Sequence, residues 1–147
     1  MPNFEHSDIS PHSPEELASL VLDVARYPEF LPWCSKARII SGEPHKIVAE
    51  LVVTFAGLSE SYVSEVRIKR KKTVVEIDVH AISGPFSRLE NKWRFGKKAT
   101  GTKIDFSIDF AFTSKILDLM ISPVFYKACQ KMISAFESRA DELFGKR

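Results

Sequence analysis

A chain of 147 residues with 44% hydrophobic and 27% charged residues has the size and composition of one globular domain with a single core, which argues against disorder. Its formal net charge of +2 excludes a generally basic, polyanion-binding protein, although short basic runs occur. Cys34 and Cys129 form no CxxC motif, so we expect both thiols to be reduced and packed.

The first twenty residues carry four carboxylates and lack the apolar core of a signal peptide. No run approaches the ~18 apolar residues that spanning a bilayer requires. We therefore expect a soluble cytoplasmic protein that touches a membrane at most from its surface.

Capping residues predict that a first helix begins at Pro14. Ser13 suits the N-cap, proline suits the first helical position, and Glu16 suits the reciprocal capping contact. Pro28 ends this helix or forces a new short turn, and we expect two short helices after a first strand. The inward face of the first helix would carry Leu17, Leu20, Val21 and Val24.

The segment that follows is unusually apolar for a connector. Loops between elements are usually short and polar, so these side chains must be covered, or must themselves cover something. We interpret the segment as a lid or plug formed by Tyr27, Phe30, Leu31 and Trp33.

From residue 37 the apolar pattern changes to a period of two, and five runs are predicted with turns between them. Short connections favour antiparallel neighbours, so the runs predict a twisted meander with one apolar face. Alternation is strictest in the last run, where Ile104, Phe106, Ile108, Phe110 and Phe112 share a face.

A long amphipathic helix is predicted after Ser114 and would cover the apolar face of the sheet. Some thirty residues give a helix of about 45 Å, so we expect a bend at Pro123. The predicted fold is α+β, with a curved antiparallel sheet around a C-terminal helix. The helix stripe predicted to face the sheet is Leu117, Met120, Ile121, Val124, Ala128, Met132, Phe136, Ala140 and Leu143.

Catalytic constellations are hard to assemble from this sequence. Its four histidines are scattered without metal-ligand spacing, and no serine or cysteine lies in a nucleophile-elbow context. We place His80 on the solvent face of its strand and His45 in a turn. Gly84 and Pro85 lack the strand-to-helix context of a phosphate loop. We therefore predict neither an enzyme nor a metal site nor a resident cofactor.

Three polar residues fall in phase with inward-facing apolar ones, namely Tyr62, Ser64 and Asn91. Buried polar groups need partners. They either hydrogen-bond to each other and to backbone, or they bind polar atoms of a ligand such as the carbonyl oxygens of a quinone head group.

Four segments carry a resemblance to a known family: residues 23–34 (DVARYPEFLPWC), 55–62 (FAGLSESY), 84–95 and 132–140 (MISAFESRA). The first closely resembles the signature of the coenzyme Q-binding branch of the START-like helix-grip superfamily. That branch also contains bacterial proteins labelled oligoketide cyclase-like and ribosome-association toxin. The resemblance covers nearly the whole chain and implies one START/Bet v 1-like lipid-binding domain over residues 1–147.

The resemblance implies a hydrophobic tunnel for an isoprenoid tail, with its mouth near the first half of the long helix and residues 56–58. Thr54 stands where the family often has a small residue before the phenylalanine of the Phe55 motif, so the resemblance does not carry a bulge over to this point. The predicted cavity residues are Leu31, Trp33, Phe55, Leu58, Tyr62, Asn91, Trp93, Phe95, Leu117, Met120, Ile121 and Val124.

Three functions follow from the resemblance. The leading one is non-catalytic binding of ubiquinone or a related polyprenyl quinone, which would support respiratory electron transport or quinone biosynthesis. The second is inhibition of ribosomal subunit association. The third is a polyketide cyclase-like reaction, which needs a positioned acid or base; it would gain support if His80 or Glu90 faced the cavity.

One basic run serves both of the first two hypotheses. We expect a cytoplasmic bacterial protein. In it, this run would contact either anionic lipid head groups at the inner membrane or RNA phosphates of a ribosomal subunit. DNA is not an expected partner. The plainer interpretation is a solvated hairpin end. The run consists of Lys69, Arg70, Lys71 and Lys72, and Lys97 and Lys98 form a second basic pair.

Overall fold

The structure is a computed structural model that describes residues 3–31, 33–55 and 58–145, with only the backbone of Phe55 and Leu58. Over these residues the chain forms seven strands, two α-helices and one 3₁₀ helix. In chain order they are β1 (Asn3–Ser10), α1 (Pro14–Leu22), the 3₁₀ helix (Val24–Glu29), β2 (Cys34–Glu43), β3 (Lys46–Phe55), β4 (Leu58–Arg70), β5 (Val74–Ser83), β6 (Phe86–Lys98), β7 (Gly101–Phe112) and α2 (Lys115–Phe144).

The predicted start of α1 is confirmed by its capping contacts. The Glu16 amide donates to Ser13 Oγ at 3.1 Å, and the Ser13 amide donates to Glu16 Oε1 at 2.9 Å. Two otherwise unpaired helix-terminal donors are thereby satisfied. Pro28 lies within the 3₁₀ helix, so the expectation of two short helices after the first strand is confirmed.

All seven strands form one antiparallel sheet in the order β1-β7-β6-β5-β4-β3-β2. The predicted meander is confirmed, but the count of five runs is wrong, because six strands follow the short helices. The turns at 44–45 and 99–100 have two residues each. β2 shows register shifts after Cys34 and after Ile39, which are bulges at the sheet edge.

The predicted strand faces are confirmed. Ile77 and Phe95 are 0% and 1% exposed on the inner face, and β7 buries alternate residues from Thr102 to Phe106. His80 lies on the outer face, where its Nε2 is 3.0 Å from Glu65 Oε2. The inner face of the sheet is therefore apolar, and the outer face carries charge pairs.

The long helix α2 spans thirty residues and continues through Pro123. Ser114 caps it by accepting from the Leu117 amide at 3.3 Å. The predicted inward stripe is correct at Phe136 and Ala140. Before Phe136, each buried residue lies one position after a predicted one. The buried residues are Phe125, Cys129, Ile133, Phe136 and Ala140, whereas Met120, Val124 and Leu143 are exposed.

Both cysteines are buried and free of disulfide bonds, as the sequence predicts. Within the described residues, no helix has the length and apolar character to cross a bilayer. The β3–β4 pairing runs in continuous register from Lys46 opposite Arg67 to Phe55 opposite Leu58, so these strands pair without a bulge beside Thr54.

Candidate ligand-binding site

An apolar cavity of about 190 Å³ lies between the inner face of the sheet, the 3₁₀ helix and the C-terminal half of α2. The 3₁₀ helix and the residues after it close one side, and β3 to β7 form the floor. Its lining includes Val24, Tyr27, Leu31, Trp33, Cys34, Leu51, Tyr62, Ser64, Asn91, Trp93 and Phe136.

A second apolar pocket of about 190 Å³ adjoins the first along α2. It continues toward the start of the helix, where Ile121 and Val124 face Phe86 and Phe112. Together the two pockets fall within the size range of a small-molecule site, roughly 300–1,000 Å³. They are adjacent, because five residues line both of them: Trp33, Val53, Leu89, Ile108 and Met132.

The structure brings together seven of the twelve predicted cavity residues. Five lie in the first pocket, and two more, on α2, lie in the second, which Trp33 also lines. The side chains of Phe55 and Leu58 lie outside the described residues. The seven are Leu31, Trp33, Tyr62, Asn91, Trp93, Ile121 and Val124.

Three predicted cavity residues line neither pocket. Phe95 is only 1% exposed and belongs to the packed core behind Trp93. Leu117 and Met120 lie in the first turns of α2, and Met120 is 47% exposed. The first ten residues of this helix contain no buried side chain. Ile121 is the first residue of α2 that lines either pocket.

Sequence reasoning missed Phe125 and Cys129, which line the second pocket. The signal was present, because Phe125, Cys129, Ile133 and Phe136 also recur at three- and four-residue steps. Two adjacent apolar stripes on one helix cannot be ranked without the sheet against which they pack.

The predicted plug packs against α2. The rings of Tyr27 and Phe30 meet Phe136 edge-on, with centroids at 5.6 and 5.2 Å. The Arg139 guanidinium lies 5.2 Å from the Phe30 ring centroid, and its Nη2 is 2.7 Å from Glu29 Oε1. The Tyr27 hydroxyl donates to the Val21 carbonyl oxygen. These contacts anchor the 3₁₀ helix as a fixed wall of the cavity.

The three inward polar residues divide between the two predicted interpretations. Asn91 is held by protein groups, because its Nδ2 donates to the Ser107 carbonyl at 2.9 Å and its Oδ1 accepts from Trp93 Nε1 at 3.2 Å. Tyr62 and Ser64 line the same pocket, and their hydroxyls have no hydrogen-bond partner within the described part of the chain. They are therefore available to a ligand.

The ionisable groups beside the cavity stay neutral. Burial, and secondarily the nearby Cys34 side chain, raises the pKa of the Tyr62 hydroxyl, which keeps it a hydrogen-bond donor. Burial also raises the pKa of the Cys34 thiol to about 11 and that of Cys129 to about 12. Neither thiol is activated as a nucleophile, since activation requires a lowered pKa.

The fold and this cavity agree with comparisons to known proteins. The family model described as polyketide cyclase / dehydrase and lipid transport matches residues 10–137. The chain belongs to this polyketide cyclase and lipid transport family. Its sheet wrapped around a long C-terminal helix is the START-like helix-grip fold.

Individual members of the family are similar over the whole chain. A protein of Rickettsia prowazekii (strain Madrid E) named ribosome association toxin RatA is 46% identical over 97% of this chain and 99% of its own length. Coenzyme Q-binding protein COQ10 homolog B, mitochondrial, of Xenopus laevis is 29% identical over 98% of this chain and 60% of its own length. The solution structure of an 18 kDa Caulobacter crescentus protein has 37% identity and a TM-score of 0.75, and the match covers 99% of this chain and 100% of that chain.

Titratable groups of this family member also meet outside the cavity, where β1 crosses α2. Asp8 and Glu137 are neighbouring carboxyl groups, and a hydrogen bond between them requires one shared proton. Burial, followed by the bond to Asp8, raises the pKa of Glu137 to about 7, and the same bond lowers the pKa of Asp8. Nearby, the buried His12 Nε2 is 2.9 Å from Asp141 Oδ1.

The shared proton predicts a pH-dependent stability. Since Glu137 titrates near 7 when folded and near 4.5 when unfolded, the folded state binds more protons in this window, and stability falls as pH rises from 5 to 8. Glu137→Gln keeps a donor toward Asp8 at every pH. We expect the variant to gain about 1–2 kcal/mol over wild type between pH 5 and pH 8.

Urea unfolding of both proteins at each pH measures this difference. The other titratable groups at the crossing, His6, Asp8, His12 and Asp141, are present in both proteins, so the comparison isolates Glu137. Parallel stability profiles for the two proteins would contradict the shared proton.

No three His, Cys, Asp or Glu side chains are grouped as a metal site within residues 3–31, 33–55 and 58–145. His80 and Glu90 are cross-strand neighbours on β5 and β6, in outward phase with respect to Val79 and Leu89, which line the cavity. The first pocket offers apolar side chains together with the neutral hydroxyl-bearing residues Tyr62 and Ser64.

Proposed function

We propose that this protein binds a polyprenyl quinone such as ubiquinone, without catalysis, in a channel that the two pockets form between the sheet and α2. The observation that carries the proposal is the adjacency of two apolar pockets, one lined by Tyr62 and Ser64 and the other reaching toward the start of α2. A quinone has the matching form, with carbonyl acceptors at one end and an apolar tail at the other.

The energetics support a carrier without any catalytic group. At ~25 cal/mol per Å², burial of about 300 Å² of apolar tail contributes roughly 7 kcal/mol before ordering costs are subtracted. The family description includes lipid transport, and one relative is named a coenzyme Q-binding protein. Exchange with the inner membrane from the cytoplasm would serve respiratory electron transport or quinone biosynthesis.

Identification of the bound molecule tests the proposal directly. The protein is purified from quinone-replete bacteria under mild conditions and extracted with organic solvent, and the extract is analysed by mass spectrometry. A boiled aliquot and an unrelated protein serve as controls. We expect polyprenyl quinone at near-stoichiometric amounts, and an extract without lipid would contradict the proposal.

A single hydroxyl group tests the orientation of the head group. Tyr62→Phe removes a donor that has no partner among the described residues, so we expect unchanged stability and about three- to tenfold weaker binding of a short-tailed ubiquinone. Calorimetric titration and thermal unfolding measure the two effects.

Tyr27→Phe is the matched control for this substitution. It lines the same pocket, but its hydroxyl donates to the Val21 carbonyl. We expect it to lose about 1 kcal/mol of stability and to keep its quinone affinity. Equal binding by the Tyr62→Phe variant and wild type would place the head group elsewhere.

A second function is favoured by a specific observation. The relative that is 46% identical over nearly the full length of both chains is named a ribosome association toxin. We propose as the alternative that this protein binds a ribosomal subunit and reduces subunit association. Sucrose-gradient profiles of purified subunits, mixed with the protein in stated excess, test it through the ratio of free subunits to assembled ribosomes.

A further inference from the structure

The fold brings the two basic runs to the same end of the sheet. One run ends β4 and enters the β4–β5 turn, and the other ends β6 before the β6–β7 turn. The Lys97 amide donates to the Thr73 carbonyl at 2.8 Å, so the two turns are in direct contact. We call this surface the basic end; it consists of Arg70, Lys71, Lys72, Lys97 and Lys98, all exposed.

Two of these five cations are compensated. Arg70 Nε lies 3.0 Å from Glu15 Oε1, and Lys71 Nζ lies 3.1 Å from Glu76 Oε1. The remaining three, Lys72, Lys97 and Lys98, have no carboxylate within ion-pair distance in the part of the chain that the structure describes. The basic end thus carries an excess of three positive charges that no carboxylate of the described residues neutralises.

The second pocket lies at the opposite end of the strands, beside the start of α2. This end is next to the β5–β6 turn, where the Thr113 amide donates to the Pro85 carbonyl at 2.8 Å. Exposed apolar side chains surround this end: Ile82, Ile116 and Leu119 are 54%, 70% and 74% exposed.

The distance between the two ends argues against a membrane, rather than RNA, as the partner of the basic end. β4 runs from one end to the other in 13 residues, about 40 Å of strand at ~3.3 Å per residue. A bilayer that exchanged lipid with the second pocket would therefore lie far from the basic end. Electrostatic attraction is screened over ~8 Å at physiological salt, so these lysines would contribute little to that contact.

We propose that the basic end is a docking surface for the phosphate backbone of RNA, as carried by a ribosomal subunit. Clustered, unpaired lysines release condensed counterions when they neutralise phosphates, which drives binding without sequence readout. This inference deepens the ribosome-directed function proposed above and rests on it only for the identity of the RNA. It leaves the cavity free to hold its ligand.

The test compares two triple variants with the same change in net charge. Lys72→Gln, Lys97→Gln and Lys98→Gln neutralise the basic end. Lys36→Gln, Lys127→Gln and Lys131→Gln neutralise three exposed lysines elsewhere, which also lack an ion pair among the described residues. Thermal unfolding checks that both variants remain folded.

Binding is measured with purified ribosomal RNA and purified ribosomal subunits between ~50 and 200 mM salt. For three lost phosphate contacts, the slope of log affinity against log salt becomes shallower by about 2–3, and affinity at ~100 mM salt falls roughly 100-fold. We expect both effects in the basic-end variant and a change of less than about threefold in the control.

The outcomes separate this inference from the proposed functions. Subunit binding that is unchanged in the basic-end variant overturns the surface and leaves the ribosome-directed function standing. RNA binding through the basic end without any subunit binding supports the surface and removes that function. Absence of RNA binding by the wild-type protein overturns the inference. Binding to phosphatidylglycerol vesicles is measured in parallel. If the basic-end variant loses vesicle binding but keeps RNA binding, the surface binds lipid and the inference is overturned.

Discussion

A Val53→Trp variant is expected to lose the proposed quinone ligand while keeping its fold. Val53 lies in the wall shared by the two pockets, so a larger ring there divides the channel and occupies the space that a tail would use. We expect binding of a short-tailed ubiquinone to weaken about 100-fold, equivalent to ~2.7 kcal/mol. Stability should stay equal or rise, because the added ring fills a void rather than displacing packed atoms.

Val52→Trp provides the matched control. Val52 is the preceding residue of β3, so its side chain points to the opposite face of the sheet, and it adds the same ring outside the cavity. Quinone recovered per mole of purified protein, together with calorimetric titration, measures both variants. If the two variants bind quinone equally well, the ligand does not use this channel, even if wild type carries one.

Phe136→Ala is expected to be the most destabilising single substitution in the cavity wall. The Phe136 ring contacts Tyr27, Phe30 and Trp93 with centroid distances between 5.2 and 5.6 Å, and it is 7% exposed. It thus joins α2 to both the 3₁₀ helix and the sheet. We expect a loss of about 3–5 kcal/mol in the free energy of unfolding and a Tm lower by roughly 10 °C.

Leu143→Ala on the same helix is the control for helix propensity and general truncation. Leu143 is 50% exposed, so its loss should cost less than about 0.5 kcal/mol. Urea unfolding monitored by circular dichroism gives both values. A Phe136→Ala variant as stable as Leu143→Ala would show that the aromatic cluster does not hold the helix against the sheet.

Features encoded locally could be predicted from the sequence. The start of α1 follows from Ser13, Pro14 and Glu16, whose contacts form within one helical turn. The inner face of β7 follows from strict alternation, because a strand exposed on one side imposes a period of two. The family resemblance supplied the connection of these elements into a helix-grip fold.

Features that depend on packing between distant segments could not be predicted in the same way. Which of two adjacent stripes on α2 is buried depends on the angle at which the helix meets the sheet, so Phe125 and Cys129 were missed. Asn91 and Tyr62 look alike in phase, yet of these two side chains only Asn91 has hydrogen-bond partners within the described residues. The contact between Thr73 and Lys97 depends on strand lengths and register, which pattern analysis sets only approximately.

The pairing of the first strand with the last one has a consequence for the nascent chain. Ser7 Oγ donates to Asp105 Oδ1 across the β1–β7 ladder, 98 residues further along. At a synthesis rate of ~5–20 residues per second, β1 waits about 5–20 s for its partner. Folding of the complete sheet must therefore follow emergence of β7 from the ribosome, and α2, which covers the cavity, emerges later still.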